Sequence, residues 1–305
     1  MRILVTGGAG FIGHNISLYL INKGYEVLVL DTLERASPMG LERLKEKNIP
    51  IIKADVRFYE NYSDIDVVVH AAAYVDVEES VREPHKYFDV NTMGTSKVGL
   101  ECSKKGVKLI YLSSAAVYGD PVKIPITEAD PIDPKSPYGL SKYMGEQIIR
   151  MYGRLYGLKY SILRLFNVYG PGQRMEHAGV VSRFVLNAIR GEPFIVYGDG
   201  TQTRDFIHVF DVARIVEKMI SQDVFSNEIY NVGTGQPISI LDLTGVISRI
   251  IGKDLVVIHK PRRKGDILHS VADISKLKHM ISFEPAIHIE EGIKLLIEEY
   301  RSSST

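Results

Sequence analysis

The chain has 305 residues, enough to bury a large core in one large or two medium domains. Lys plus Arg number 37 and Asp plus Glu 37, so no overall field draws it to nucleic acid or to an anionic membrane, and any phosphate must be bound by local groups. One cysteine, Cys102, excludes an internal disulfide, no apolar run approaches a membrane span, and the histidines show no pair at ligand spacing, so a cytoplasmic, unprocessed, soluble protein without a metal site is expected.

Residues 2–6 read as a short buried strand that turns through Thr6-Gly7-Gly8-Ala9-Gly10-Phe11-Ile12-Gly13 into a helix. The glycines divide the work of a dinucleotide turn. Gly7 permits the bend, Gly10 lets a pyrophosphate approach the helix N-terminus beside Phe11 and Ile12, and Gly13 lets the helix pack on the strand. Residues 25–30 supply a second strand that ends on Asp31, whose carboxylate suits both hydroxyls of an adenine ribose and would repel a 2′-phosphate. NAD is therefore expected over NADP, with Arg35 near enough to keep NADP open.

A charged helix is expected at 41–47, after a loop through Pro38 and Gly40, with strands at 49–53 and 66–70. Alternating strands and helices with β-branched strands predict an α/β fold, a Rossmann-type doubly wound parallel sheet with ligands across the carboxyl ends of its strands. That puts Asp55-Val56 and Ala71-Ala72-Ala73 beside the cofactor, although the alanines can equally start a helix. Asn91 falls at or within a helix that runs to Lys105 and is ended by Gly106, and a strand at 107–112 leads into Ser113-Ser114. Serines at such a place cap helices and close turns as readily as they do chemistry.

A proline-rich loop then leads to a helix beginning at Ser136-Pro137-Tyr138-Gly139-Leu140-Ser141-Lys142. Tyr138 and Lys142, four residues apart, share a helical face. A phenol ionises near pH ~10, and making it a base near neutrality takes a shift of about three units, or roughly 4 kcal/mol. One ammonium about 4 Å away at an effective dielectric of ~20 supplies that much. Lys142, alone or with an oxidised nicotinamide ring, suffices on this reckoning; a solvated Tyr–Lys pair is the plain alternative.

Taken together, Gly7-x-x-Gly10-x-x-Gly13, Asp31, Asp55-Val56, Ser114 and Tyr138-x-x-x-Lys142 resemble the extended short-chain dehydrogenase/reductases, in the nucleotide-sugar epimerase/dehydratase branch typified by UDP-glucose 4-epimerases. The resemblance runs over nearly the whole chain. It implies that Tyr138 takes the proton of a sugar hydroxyl, Ser114 shares that hydrogen bond, and Lys142 holds the nicotinamide ribose of NAD. It implies a nucleotide domain at 1–167, to which 205–232 returns, and a smaller C-terminal α/β substrate domain at 168–204 and 233–305.

In the second half the resemblance puts Asn167, Arg204 and Arg263 on a sugar diphosphate, Asp266 on the uridine ribose and Ser270 at the sugar pocket. Arginine suits the task because its planar fork bonds phosphate oxygens in pairs, although an Arg-rich loop is also an ordinary solvated surface. The family's dehydratases carry an Asp-Glu pair after the serine or threonine; Ala115 and Ala116 stand there, which argues against dehydration. The expectation is an NAD-dependent enzyme that epimerises a UDP-hexose at C4 through a 4-keto intermediate, as a homodimer. A uronate epimerase, a decarboxylase or a ketoreductase on the same scaffold is the alternative. The small Ser270 would admit N-acetylated sugars, and Ala73-Tyr74-Val75 lacks a lysine that the best-known epimerases place near the cofactor.

Overall fold

A computed structural model describes residues 1–262 and 267–302. The first half alternates strand and helix: β1 (Arg2–Thr6), α1 (Phe11–Asn22), β2 (Glu26–Asp31), α2 (Pro38–Glu46), β3 (Ile51–Lys53), β4 (Val67–His70), α3 (Val77–Arg82), α4 (Pro84–Tyr87), α5 (Gly94–Lys105) and β5 (Lys108–Ser114). There follow α6 (Pro137–Tyr156), β6 (Tyr160–Leu165), β7 (Asn167–Tyr169), α7 (Val180–Arg190), β8 (Phe194–Tyr197), β9 (Thr203–His208), α8 (Val209–Ser221) and β10 (Glu228–Val232). The last part holds β11 (Pro237–Ser239), α9 (Ile240–Ile251), β12 (Val257–Lys260), β13 (His269–Ser270), α10 (Ser275–Ile281) and α11 (Ile289–Ser302).

Seven strands form one parallel sheet in the order β3-β2-β1-β4-β5-β6-β10. Their near-continuous Val, Ile and Leu content follows from burial on both faces. One face packs α1 and α8 over Ile3, Val5, Val29 and Val69; the other packs α5 and α6 over Leu4, Leu28, Val68 and Leu109. The chain turns one way from β1 through β2 and the other way through β4, so the order reverses between β1 and β4. A crevice opens at such a reversal, outside the carboxyl ends of the strands, and it is where ligands bind in these sheets.

A smaller sheet joins β11, β9 and β13, with β7 alongside β9, and β8 pairs with β12. Behind it lies a core made by α7, α9 and α11. In α7, Val181, Phe184, Val185 and Ala188 recur at helical spacing and are all buried, which is why this helix lies flat on that core.

The structure refines the local picture. The extended chain from 160 to 169 serves two sheets. It bonds in the large sheet through Leu165, and after Phe166 the same extended chain pairs with β9 in the small sheet. Asn91 lies in a π-helical turn, Phe88–Met93, within the continuous helical run that leads into α5. The helix expected at 41–47 starts earlier, because Ser37 Oγ caps it by accepting from Gly40 N–H at 3.1 Å and Pro38 fits its first turn, where no N–H is needed. Residues 205–208 belong to β9 of the small sheet, and α8 leads from there to β10 at the edge of the large one. Among the described residues no helix is long and apolar enough to cross a membrane.

Candidate active site

The β1 turn is built as its glycines suggest. Gly7 has φ +64°, and a Cβ on it would come within 2.6 Å of the Ala72 backbone. A Cβ on Gly13 would lie 2.2 Å from the Gly7 carbonyl oxygen, so α1 seats on the turn only because position 13 is bare. Gly10 caps α1 with no side-chain bond, which leaves the first N–H groups of that helix turned outward to an anion. Asp31 closes the adjoining edge. Its Oδ2 accepts from Ala9 N–H at 3.0 Å and its Oδ1 from Leu33 N–H at 2.8 Å. Burial pushes its carboxyl up, and those two backbone donors pull it back.

A cavity of about 370 Å³ runs along the carboxyl ends of the strands. Gly7, Gly10, Phe11, Ile12, Gly13 and Asp31 line it, as do Asp55, Val56, Ala71, Ala72 and Ala73 and, farther along the sheet, Ser114 and Tyr138. Its size lies in the range of small-molecule sites, roughly 300–1,000 Å³. The alanines do not begin a helix: residues 71–76 are irregular and α3 starts at Val77. The Asp55 carboxylate is occupied by Arg57, whose Nη2 lies 2.6 Å from Oδ2, and that cation holds it below the usual carboxylate range. A backbone that accepts a phosphate at a bare helix end, with a carboxylate at the next strand end, fits an adenine dinucleotide.

Asn91 and Lys142 stand behind the wall. Asn91 is buried, and all its side-chain bonds go to protein: Nδ2 donates to Tyr74 O at 2.9 Å and to Ser141 Oγ at 3.0 Å, and Oδ1 accepts from Tyr74 N–H at 2.8 Å. It clamps the loop after β4 to α6 and so holds that wall in place.

Ser114 ends β5, where its Oγ accepts from Ala116 N–H at 3.2 Å, so it does cap a short 3₁₀ turn as well as line the cavity. Ser136 Oγ caps α6 by accepting from Gly139 N–H, and this fixes Tyr138 in the first turn. Burial raises the Tyr138 phenol, and a hydrogen bond with Ser114 works against that rise. Lys142, one turn on, is buried with Nζ 4.5 Å from the centre of the Tyr111 ring. Loss of solvent lowers it to about 7, against the pull of Glu146. Burial that would strengthen the field of the Lys142 ammonium on the phenol also weakens its hold on its own proton, so the pair's electrostatics depend on desolvation as well as on spacing.

A buried ion pair holds this end together. Arg164 on β6 bonds Glu146 on α6 through Nε to Oε1 at 3.0 Å and Nη2 to Oε2 at 2.7 Å, and Ser113 Oγ donates to the same Oε1 at 2.6 Å. The guanidinium also donates to Tyr118 OH at 2.9 Å. Glu146 lies four residues past Lys142, on the Tyr138 face, which is the signal that could have found it. Its partner on β6 gave none.

The residues expected at the sugar diphosphate gather on the small sheet. Ser270 is in register with Arg204, and Asn167 with Phe206, so Asn167, Arg204 and Ser270 fall on one face by strand alternation. Asn167 Nδ2 donates to Asp205 O at 3.1 Å, and Arg204 Nη1 donates to Thr203 O at 2.9 Å and to Leu268 O at 3.3 Å. None of the three lines the cavity, but Phe166 and Val168, on either side of Asn167, do. Arg263 and Asp266 lie outside the described residues. Asp205, unnoticed in the sequence, is fully buried and accepts from Thr234 N–H and Oγ1, Gly235 N–H and Ala272 N–H, which binds β9 to the loops after β10 and β13. No group of three or more His, Cys, Asp or Glu among the described residues could hold a metal ion.

A doubly wound sheet with this glycine turn and with Ser114 and Tyr138 on the same cavity defines a nicotinamide-dinucleotide enzyme. The comparisons narrow it. Residues 3–233 match the NAD dependent epimerase/dehydratase family. The chain is 36% identical to a UDP-glucose 4-epimerase of Bacillus subtilis, over 95% of this chain and 94% of that one. It is also 36% identical to a UDP-glucuronate 4-epimerase of Thermodesulfobacterium geofontis, over 95% and 93%. The solved UDP-glucose 4-epimerase of Thermotoga maritima, with UDP-glucose, superimposes with a TM-score of 0.94 at 37% identity over 100% of both chains. The chain belongs to the NAD dependent epimerase/dehydratase family, the nucleotide-sugar branch of the extended short-chain dehydrogenase/reductases.

Proposed function

We propose that the protein is a cytoplasmic UDP-hexose 4-epimerase, acting on UDP-glucose and UDP-galactose. The observation that carries this is the meeting of Tyr138 and Ser114 on the cavity that also holds the glycine turn and Asp31. NAD, when bound, supplies the hydride acceptor and donor for C4. Tyr138 takes the C4 hydroxyl proton and later returns it, while Ser114 orients that hydroxyl and tempers the phenol. Lys142 would hold the nicotinamide ribose. The helix N-terminus at Gly10 carries the pyrophosphate, with Gly7 and Gly13 shaping the turn that presents it, and Asp31 the adenine ribose. Asn167, Arg204, Arg263 and Asp266 hold the UDP moiety in the sugar domain, 168–204 and 233–305, and Ser270 leaves room for an N-acetyl group. Epimerisation asks for little beyond this: oxidation at C4, rotation of the 4-keto sugar about its tethered diphosphate, and reduction from the other face.

The bare methyl groups of Ala115 and Ala116 offer no acid or base for water loss. Arg174 supports a second reading. It lines the cavity wall with its guanidinium held, among the described residues, by a single contact, Nε to Glu176 Oε2 at 3.4 Å, which leaves the rest of the fork to match a carboxylate on the sugar, and a UDP-glucuronate 4-epimerase is among the relatives. Incubation with a panel of UDP-sugars, with products resolved by NMR, separates the two. Interconversion of UDP-glucose and UDP-galactose with no net NADH supports the first, and turnover confined to UDP-glucuronate would replace it with the second.

A homodimer fits the surface of α6. Leu140, Met144, Met151 and Leu155 recur along one exposed stripe, Leu155 being 63% exposed, and a second copy would cover them. Light scattering should give about twice the chain mass, and Leu155→Glu should return it toward one.

A further inference from the structure

Two guanidiniums stand on the cavity wall near Asp31, and carboxylates hold both. Arg57 is tied to Asp55 and Asp89. Arg35, four residues past Asp31, gives both arms of its fork to Glu79: Nη1 is 2.7 Å from Oε2 and Nη2 is 2.6 Å from Oε1. Glu79 lies on α3, so the pair joins the loop after β2 to the helix that follows β4. Tyr87 OH at 2.9 Å and Lys86 Nζ at 3.2 Å hold the same carboxylate, and with Arg35 they keep it down at about 2. On its open side Arg35 lies over the Tyr74 ring, 4.1 Å from the centre, and Tyr74 OH donates to Glu34.

An arginine at this place in a dinucleotide fold is the usual partner of a 2′-phosphate. Here a phosphate would have to displace a bidentate carboxylate, the interaction that best satisfies a planar fork. We propose that Glu79 is a specificity-determining residue for the coenzyme: by occupying Arg35 it withholds that guanidinium from the 2′ position, so NADP meets a missing partner as well as the Asp31 charge. The inference rests on the reading that Asp31 meets the adenine ribose. It also implies that the Asp31 charge and the Glu79 pair act together, since relieving either alone leaves the other barrier standing.

The test is calorimetric titration of the nucleotide-free chain with NAD and with NADP. Asp31→Asn should improve NADP binding modestly. Adding Glu79→Gln to it should improve NADP binding by about tenfold more, and adding Arg35→Ala should take that gain away. A double variant no better than Asp31→Asn, or a gain that survives loss of Arg35, would overturn the proposal. Because a change at Glu79 could loosen α3, Arg35→Ala in the otherwise unaltered chain gives an independent reading. It should move neither dissociation constant by more than about threefold, and a tenfold loss of NADP affinity would show Arg35 already free and overturn it. An unaltered chain that binds NADP as tightly as NAD would remove the Asp31 reading itself, a failure distinct from that of Glu79.

Discussion

Replacing Lys142 by Met should make the nucleotide-free protein more stable near neutrality while it destroys activity. Lys142 is buried and lowered from 10.5 to about 7. Between those values the unfolded chain binds a proton at this side chain that the folded chain does not, so stability climbs as pH rises from about 7 to 10.5. A shift of that size corresponds to about 5 kcal/mol across the whole interval. Contact with the Tyr111 ring offsets some of the cost of the charged form, by roughly 1–2 kcal/mol. Met keeps most of the apolar stem and has no charge to desolvate, so Lys142→Met should gain about 2–4 kcal/mol at pH 6 and much less at pH 9.5. Urea unfolding of both proteins, free of NAD, at pH 6, 8 and 9.5 measures it. A difference between the two that does not shrink with pH, or a variant less stable at pH 6, would refute the reasoning.

Tyr138→Phe should cut turnover by at least about a thousandfold while NAD and UDP-sugar affinity stay within about threefold, as read by steady-state rates and calorimetry. Glu146→Gln strands Arg164 as a buried, unmatched cation and should cost ~3–5 kcal/mol in urea unfolding, whereas a Glu146→Met, Arg164→Met double variant should lose clearly less. Gly13→Ala forces a methyl toward the Gly7 carbonyl oxygen, so the turn must open, and NAD affinity in a direct titration should fall at least about tenfold.

The parts of the site that a few neighbouring residues define were legible in the sequence. Gly7, Gly10, Gly13 and Asp31 make their geometry within one strand-turn-helix-strand unit, and the structure builds it from those same residues. Ser114, Tyr138 and Lys142 were ambiguous one by one and gained meaning only as a set. Contacts between distant segments left no trace. Arg35 read as a possible phosphate ligand until Glu79, 44 positions on, was seen to fill its fork. Nothing in the sequence marks Asp205, yet it bonds two loops. The strand that changes sheets at Phe166 kept one apolar pattern throughout, since periodicity records burial and not the identity of the partner strand. The desolvation of Lys142 is hidden for a related reason: spacing puts it on the Tyr138 face but does not show the loss of water around its own ammonium.

In the proposed 4-epimerase reaction one hydrogen leaves C4 and returns to the same carbon on the opposite face. UDP-galactose carrying deuterium at C4, turned over in ordinary water, tests it most directly by NMR and mass spectrometry of the product. The expected result is UDP-glucose with the deuterium still at C4 and no net NADH. Loss of deuterium to solvent, or product that accumulates only in step with NADH, would contradict it.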